Sequence, residues 1–363
     1  MREYSFVFGM LVTLVVCVFI VMTQRWHGRL TLDSDQGVQK FHVGATPRVG
    51  GVGILAGLIA VWISASGAVA EVLGAMLLAG MPAFVFGLAE DVTKRVSVRA
   101  RLLATMASGF CAWLLTGVSL TEVEVWGFDA LLEFVPISVL FTMVAVAGVA
   151  NSVNIIDGFN GLAAGSVIIC LAALGIIAVD VGDGVIASIC LSLAAVLAGF
   201  LAVNFPLGKL FLGDGGAYLL GFLVAWLAVM LPTRNPSVSE WAPLLACGYP
   251  VLEVLFSMAR RYKRSLNPGY PDRLHLHSLV KMRIIRRHFK GWPACFRNAA
   301  VSPICWVYAS LPALLAVYFR EQTLCLMASF VFSAFVYWLC YRRLVCFHWG
   351  RRSIKNSVPQ YSS

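Results

Sequence analysis

The sequence predicts an all-α, polytopic membrane fold, and three observations predict it. Of its 363 residues, 60% are hydrophobic and 13% charged, where an ordinary soluble domain carries roughly 25% charged. Apolar blocks recur from Phe6 to Tyr341, mostly long enough for a helix to cross a hydrocarbon core of roughly 30 Å. The blocks are continuous, unlike the alternating segments of about ten residues that build an outer-membrane barrel. Mean hydropathy is +0.82.

Taken in order, the predicted spans are 6–23, 49–66, 72–89, 102–119, 134–149, 163–179, 185–203, 217–232, 241–258, 299–319 and 323–341, about 11 transmembrane helices in one integral membrane domain, 1–363. The first block imitates a signal peptide, but it lacks a clear small-residue cleavage site and is followed by further spans, so it reads as helix one. Among the ten cysteines, Cys17, Cys111, Cys170, Cys190 and Cys325 lie singly in apolar blocks and no CxxC pair occurs. They read as small buried hydrophobes, not as disulfides or zinc ligands. No internal repeat of the kind that marks duplicated transporter bundles is evident.

An odd number of spans sends the termini to opposite sides, and the basic residues say which is which. The segments after spans one, three, five, seven and nine, with the C-terminal tail, hold 25 of the 28 Lys and Arg residues; Arg2, Arg234 and Arg320 are the others. The positive-inside rule puts the N-terminus outside and the C-terminus in the cytoplasm. The formal charge of +10 then describes a cytoplasmic rim suited to anionic headgroups and phosphates, with no requirement for nucleic acid. The largest polar segment is a cytoplasmic basic loop, 259–298.

All polar segments with unusual residues emerge on that same side. NSVNIIDGFNG places Asn151, Asn154, Asp157 and Asn160 every third residue, a polar stripe if helical, with amides that donate and accept. Glu90 and Asp91 follow span three at a helix C-terminus, where the dipole disfavours anions and a cation such as Lys94 gives relief. Asp214, in GDGG, is expected in a small turn that leaves its carboxylate open to a hard cation such as Mg²⁺. PDRLHLHS supplies Arg273, His275 and His277, too sparse for zinc but suited to an anion. Arg48, in the loop with Lys40, His42 and TPRVGG, is a further phosphate donor. KMRIIRRHFKG reads as an amphipathic interfacial segment. Carboxylates and a phosphate repel each other unless a divalent cation joins them, so the loops together point to Mg²⁺-assisted phosphoryl chemistry on a lipid-associated substrate. No Walker A or dinucleotide-fold glycine signature occurs.

EDVTKR, NSVNIIDGFNGLAAG, GDGG and DRLHLHS, in this order between Lys40 and His277, resemble the polyprenyl-phosphate N-acetylhexosamine-1-phosphate transferases (glycosyltransferase family 4), and most closely the bacterial O-antigen initiating branch. The resemblance implies eleven spans in the bacterial inner membrane, a periplasmic N-terminus and a cytoplasmic active site. It implies transfer of a HexNAc 1-phosphate from a UDP-sugar to undecaprenyl phosphate, releasing UMP, at the start of O-antigen or related lipopolysaccharide synthesis. The UDP-sugar is a UDP-N-acetylhexosamine such as UDP-GlcNAc, or a deoxy derivative such as FucNAc or QuiNAc. By the same resemblance Glu90, Asp91, Asp157 and Asp214 are catalytic, with Mg²⁺, or Mn²⁺ in its place, on Asp214 and with Asp91 as a second ligand. Lys94, Asn151, Asn154, Asn160, Arg273, His275, His277 and Arg48 are substrate-binding, and family members also occur as homodimers. The chain departs from the family pattern at Glu90 and Asn160, where aspartates are usual, and at Ser278, where that branch has histidine. The competing class is a transporter or flippase of a phosphorylated or lipid-linked solute, since intramembrane polar residues also mark transport pathways; the one-sided placement of the unusual residues disfavours it.

Overall fold

A computed structural model describes residues 4–33, 46–263 and 274–346. Among the described residues, helices dominate. They run α1 (Ser5–Met22), α2 (Gln24–Thr31), α3 (Gly50–Ser64), α4 (Gly67–Thr93), α5 (Val98–Thr116), α6 (Asp129–Leu132), α7 (Val135–Ile156), α8 (Leu162–Asp180) and α9 (Gly184–Asn204). There follow α10 (Gly213–Arg234), α11 (Trp241–Ala246), α12 (Gly248–Lys263), α13 (Leu276–Val280), a π-helical turn at Lys281–Ile285, α14 (Arg286–His288), α15 (Ala294–Ala299), α16 (Val301–Tyr318) and α17 (Thr323–Cys346). Leu32–Asp33 (β1) and Thr46–Pro47 (β2) form a two-residue antiparallel bridge.

Nine of the described helical segments are long and apolar enough to cross a membrane. Two expected spans differ. The second is α3, only 15 residues long, which at 1.5 Å per residue falls short of the hydrocarbon thickness. The ninth is broken at Cys247 into α11 and α12. The helix ends also differ from the expected edges: α4 continues to Thr93, α7 to Ile156, and α10 starts at Gly213. The backbone keeps its hydrogen-bonded ladder until a cap is available, past the point where hydropathy falls. Glu90, Asp91, Asn154 and Asp214 therefore sit in terminal turns of helices, and Asn151 one turn further in, not in loops.

The centre of the molecule is α10, nearly all of it buried and packed against α4, α7, α3 and α8. Close backbone approach makes this possible. At Gly87 in α4 a Cβ would lie 2.6 Å from the carbonyl oxygen of Asp214, so only a bare backbone lets α4 meet the first turn of α10. Gly213 has φ +76°, and a Cβ there would lie 2.4 Å from Arg48 O and 2.6 Å from Asp91 Oδ2; only glycine takes that turn without strain.

Candidate active site

The site is built around the N-terminus of α10. Asp91, in the last turn of α4, is buried; its Oδ1 accepts from Asp214 N (2.9 Å) and its Oδ2 from Gly215 N (2.8 Å). The carboxylate thus satisfies two of the orphan donors at the start of α10. This resolves the unfavourable placement expected for an acid at a helix C-terminus: the positive end of a second helix faces it.

Asp214, in the first turn of α10, is 2% exposed. It is not the open turn carboxylate that its glycine neighbours predict, because helix α10 begins one residue earlier and turns it inward. Arg48 Nη2 donates to its Oδ1 at 2.5 Å, Asn154 Nδ2 donates to the same oxygen at 3.1 Å, and Arg101 Nη1 donates to Oδ2. Arg48 Nε also lies 3.3 Å from Asp91 Oδ1. One guanidinium therefore spans both aspartates, as its forked geometry allows.

Arg48 is held by backbone lacing. Its own N–H donates to Thr31 O, Phe211 N donates to Pro47 O, and Gly50 N and Gly51 N donate to Phe211 O and Leu212 O. The N-terminal amides of α3 are thereby used to fasten the segment before it onto the entry to α10. Arg101 comes from the start of α5, which Ser97 caps by accepting from Ala100 N, and its guanidinium lies 6.0 Å over the Tyr218 ring.

The third-residue stripe after Asn151 does not continue as one helical face, since α7 ends at Ile156 and Asp157 is its C-cap. Each member has its own partner. Asn151 Nδ2 donates to Ala147 O at 2.7 Å, with Thr105 Oγ1 at 3.5 Å; Asn154 reaches Asp214; Asn160 Nδ2 donates to Pro206 O at 2.9 Å while its carbonyl accepts from Ser302 Oγ. Asn160, 4% exposed, thus joins the turn to the 205–208 segment through its amide. Asp157 is half-buried. Burial pushes its carboxyl up to about 7; Arg48 opposes the shift, and the charges of Asp214 and Asp91 add to it. No described residue hydrogen-bonds its carboxylate.

Glu90 turns from the aspartates to its own loop: its Oε2 accepts from Val96 N at 2.8 Å, and its carbonyl accepts from the N–H of Lys94, which closes α4 at φ 57°. Among the sequence-predicted residues, the structure thus brings together Arg48, Asp91, Asn154, Asp157 and Asp214, and leaves Glu90, Lys94, Asn151 and Asn160 around them. Arg273, Lys40 and His42 lie outside the described residues.

The histidines form a second cluster. His275 Nδ1 lies 3.0 Å from Glu253 Oε1, His277 Nδ1 lies 3.8 Å from Glu253 Oε2, and the two rings stack at 5.2 Å and 8°. His277 meets Phe159 edge-on at 5.7 Å, and a Cβ on Gly158 would lie 3.5 Å from its Nε2. The turn 157–159 therefore joins the two clusters. Lys281, 6% exposed in the π-helical turn, bonds Asn298 Oδ1 and sits 5.9 Å over the Phe159 ring. Burial, then Arg297 and Arg286, lower its ammonium to about 8.

Sequence reasoning missed Arg101, Glu253 and Lys281. Glu253 carried a signal, a lone carboxylate within an apolar span. Arg101 was visible only as part of a basic loop.

Fold and site define a polytopic membrane protein whose buried aspartates and arginines converge at one end of a central helix. Residues 73–232, which include Asp91, Asp157 and Asp214, match the model of Glycosyl transferase family 4. A probable undecaprenyl-phosphate N-acetylglucosaminyl 1-phosphate transferase of Bacillus subtilis (strain 168) is 26% identical over 275 residues, 75% of each chain. An undecaprenyl-phosphate alpha-N-acetylglucosaminyl 1-phosphate transferase of Yersinia pestis is 24% identical over 351 residues, 94% of this chain and 90% of its own. The protein of the same name from Escherichia coli (strain K12) is 26% identical over 274 residues, 74% of each. Each match is a similarity: the family model covers residues 73–232, and these relatives are 24–26% identical to the chain.

Proposed function

We propose that the protein transfers a HexNAc 1-phosphate from a UDP-N-acetylhexosamine to undecaprenyl phosphate, releasing UMP, at the cytoplasmic face of the inner membrane, and that it initiates O-antigen or a related surface polysaccharide. The observation that carries the reading is the convergence of Asp91, Asp157 and Asp214 with Arg48 and Arg101 at one helix N-terminus. Such a site offers guanidinium forks for phosphate and carboxylates for a divalent cation. The named relatives support the reaction type, and their sugar makes UDP-GlcNAc the first donor to test.

Chemically, an oxygen of the lipid phosphate attacks the sugar-linked phosphorus of the UDP-sugar and the bond to UMP breaks. The sugar C1–O bond is untouched, so anomeric configuration is retained. A phosphomonoester with a second pKa near 6 is already largely ionised at pH 7, so no general base is required. Arg48 and Arg101 leave the Asp214 carboxylate for phosphate oxygens as the diphosphate arrives, and Asn154 keeps that carboxylate oriented.

The oxygen-rich carboxylates fit Mg²⁺ or Mn²⁺, with one adjustment. Among the described residues, no three His, Cys, Asp or Glu side chains are already gathered as a ligand set. Asp214 and Asp157 would hold the cation, with Asp91 as a further ligand, since each of its oxygens accepts a single amide of α10 and keeps a second lone pair. When bound, it would neutralise charge on the diphosphate and on departing UMP.

Purified protein given Mg²⁺, undecaprenyl phosphate and UDP-GlcNAc is expected to release UMP and to exchange radiolabelled UMP into the UDP-sugar. A panel of UDP-HexNAc and deoxy sugars, scored by lipid-linked product, identifies the donor. Absence of UMP release with every donor, together with solute movement in proteoliposomes, would establish the transporter reading instead.

A further inference from the structure

We propose that Glu253 is a positioning residue of the histidine half of the site, holding the proton of His277 on Nδ1 so that Nε2 is directed at the turn beginning with Asp157. The inference rests on the transferase reading for the substrate it serves, but its geometry stands separately.

Glu253 lies in α12 and is fully buried. A carboxylate at such depth is expensive unless it is paired and hydrogen-bonded. Its two oxygens are used differently. Oε1 accepts from His275 Nδ1 at 3.0 Å and from Leu276 N, the first amide of α13, at 3.1 Å. That oxygen anchors the segment carrying both histidines. Oε2 has no partner at full hydrogen-bond geometry among the described residues, and it is the oxygen that faces His277 Nδ1, at 3.8 Å. An anchoring role accounts for Oε1; the rest of the carboxylate faces the His277 ring and the Tyr337 hydroxyl.

The histidines repeat the asymmetry. Their rings are parallel within 8° and both turn Nδ1 toward the same carboxylate. His275 is the bonded strut. His277 is the ring that reaches the other half of the site, edge-on to Phe159 and with Nε2 against Gly158. A carboxylate at one imidazole nitrogen fixes the proton there, orients the ring and makes the other nitrogen more basic. Closing the Oε2 to Nδ1 separation from 3.8 Å to about 2.8 Å completes a charge-assisted bond. His277 then presents Nε2, protonated when an anion is present, to a phosphate oxygen of the substrate at the 157–159 turn. Glu253 also faces Tyr249 on its own helix, Cys305 and Tyr308 on α16, and Tyr337 on α17. All of these are neutral at pH 7; Tyr337 is close enough to donate to the carboxylate as well, so its phenol shares the group with the imidazoles without adding charge.

The test is ¹⁵N-histidine NMR of the full chain in nanodiscs, with His277 assigned by loss of its signals in His277→Gln. In the wild type His277 is expected as the Nδ1–H tautomer at pH 8, and in Glu253→Gln its proton moves to Nε2 or exchanges between the two. UMP release in Glu253→Gln is expected to fall about 10- to 100-fold, more in kcat than in KM, with partial recovery of tautomer and rate in Glu253→Asp. A wild-type His277 protonated on Nε2 overturns the proposal, and this needs only the wild type, so a variant that fails to fold leaves it decided. An unchanged tautomer, or an unchanged rate, in a folded Glu253→Gln also overturns it. The spectrum requires no substrate, so wild-type protein that releases no UMP overturns the transferase reading without touching the tautomer result.

Discussion

The two ends of α10 carry the same pair of residue types with opposite consequences. At its C-terminal end, Arg234 Nε and Nη2 donate to Asp183 at 2.7 and 3.2 Å, Asn235 Nδ2 adds a third bond at 3.2 Å, and Asp183 caps α9 by accepting from Ile186 N. Burial alone would raise the Asp183 carboxyl, but the bonds from Arg234, Ile186 and Asn235 outweigh it and hold the group below the ordinary carboxylate range. At the N-terminal end, Arg48 and Arg101 face Asp91, Asp157 and Asp214, and the Asp157 carboxyl is pushed up to about 7. One end is balanced and closed. At the other, the described residues set three carboxylates against two guanidiniums, the kind of arrangement that functional sites use.

The sharpest way to break this comparison is to remove one carboxylate from each end. Asp214→Asn leaves a helix-compatible side chain but takes the charge from between two guanidiniums. UMP release is expected to fall at least about 10²- to 10³-fold. The same change at Asp183 should leave turnover per folded molecule unaltered. If Asp214→Asn retains wild-type turnover, the N-terminal end of α10 is not the reacting site.

Asp157→Asn separates function from stability in one residue. With its carboxyl raised from 3.8 to about 7, the folded protein binds that proton more tightly than the unfolded chain does. The destabilisation from ionising it is therefore absent at low pH, grows as pH rises through the interval between the two values, and is complete above about 7. In the absence of a divalent cation, wild-type Tm should fall between about pH 4 and 7 more steeply than that of Asp157→Asn. At pH 8 the variant should melt higher, by about 2–4 °C for each kcal/mol relieved, while its UMP release drops. Parallel Tm profiles would remove Asp157 from that arrangement.

Arg101→Lys keeps a positive charge near Asp214 but loses the fork and its contact with the Tyr218 ring. A point charge cannot hold Asp214 and then transfer to two phosphate oxygens in the same geometry. The expected result is a KM for the UDP-sugar raised roughly 10-fold, about 1.4 kcal/mol, with kcat less affected. An unchanged KM would assign Arg101 to packing alone.

What the sequence made legible follows from how strongly each feature is written in local chemistry. Apolar runs longer than a helix needs are unambiguous, so nine predicted spans reappear as long apolar helices, and the all-α architecture with them. Asp91, Asp157 and Asp214 stood out because acids beside glycine-rich apolar segments have few ordinary uses. Features that depend on contacts far apart in sequence were hidden. The hydrogen bond from Asp214 N to the Asp91 carboxylate joins residues 123 apart, and Asn160 looks equivalent to Asn154 in the sequence although its amide meets Pro206. Glu253 was absorbed into a span, and the break at Cys247 that places it near the histidine segment is marked only by Pro243, Gly248 and Pro250, residues that many membrane helices tolerate.

The smallest expected effect belongs to the balanced end. Asp183→Asn retains a competent N-cap for α9, because asparagine accepts from the same amide as well as aspartate does. What is lost is the charge-assisted part of the Arg234 bonds, and Arg234 keeps about a third of its side chain exposed, so water can replace them. A Tm decrease of no more than about 2–4 °C is expected, the equivalent of roughly 1 kcal/mol in a chain of this size. The sign with pH also differs from Asp157. Because the Asp183 carboxyl is held low, its stabilisation is present above the unfolded value of about 4 and is lost only as pH falls further. Wild type and Asp183→Asn should therefore keep a constant Tm difference from about pH 5 to 7, an interval in which Asp157→Asn and wild type diverge. A difference that grows across that interval would mean that the far end of α10 also carries unbalanced charge, and the contrast between the two ends would fail.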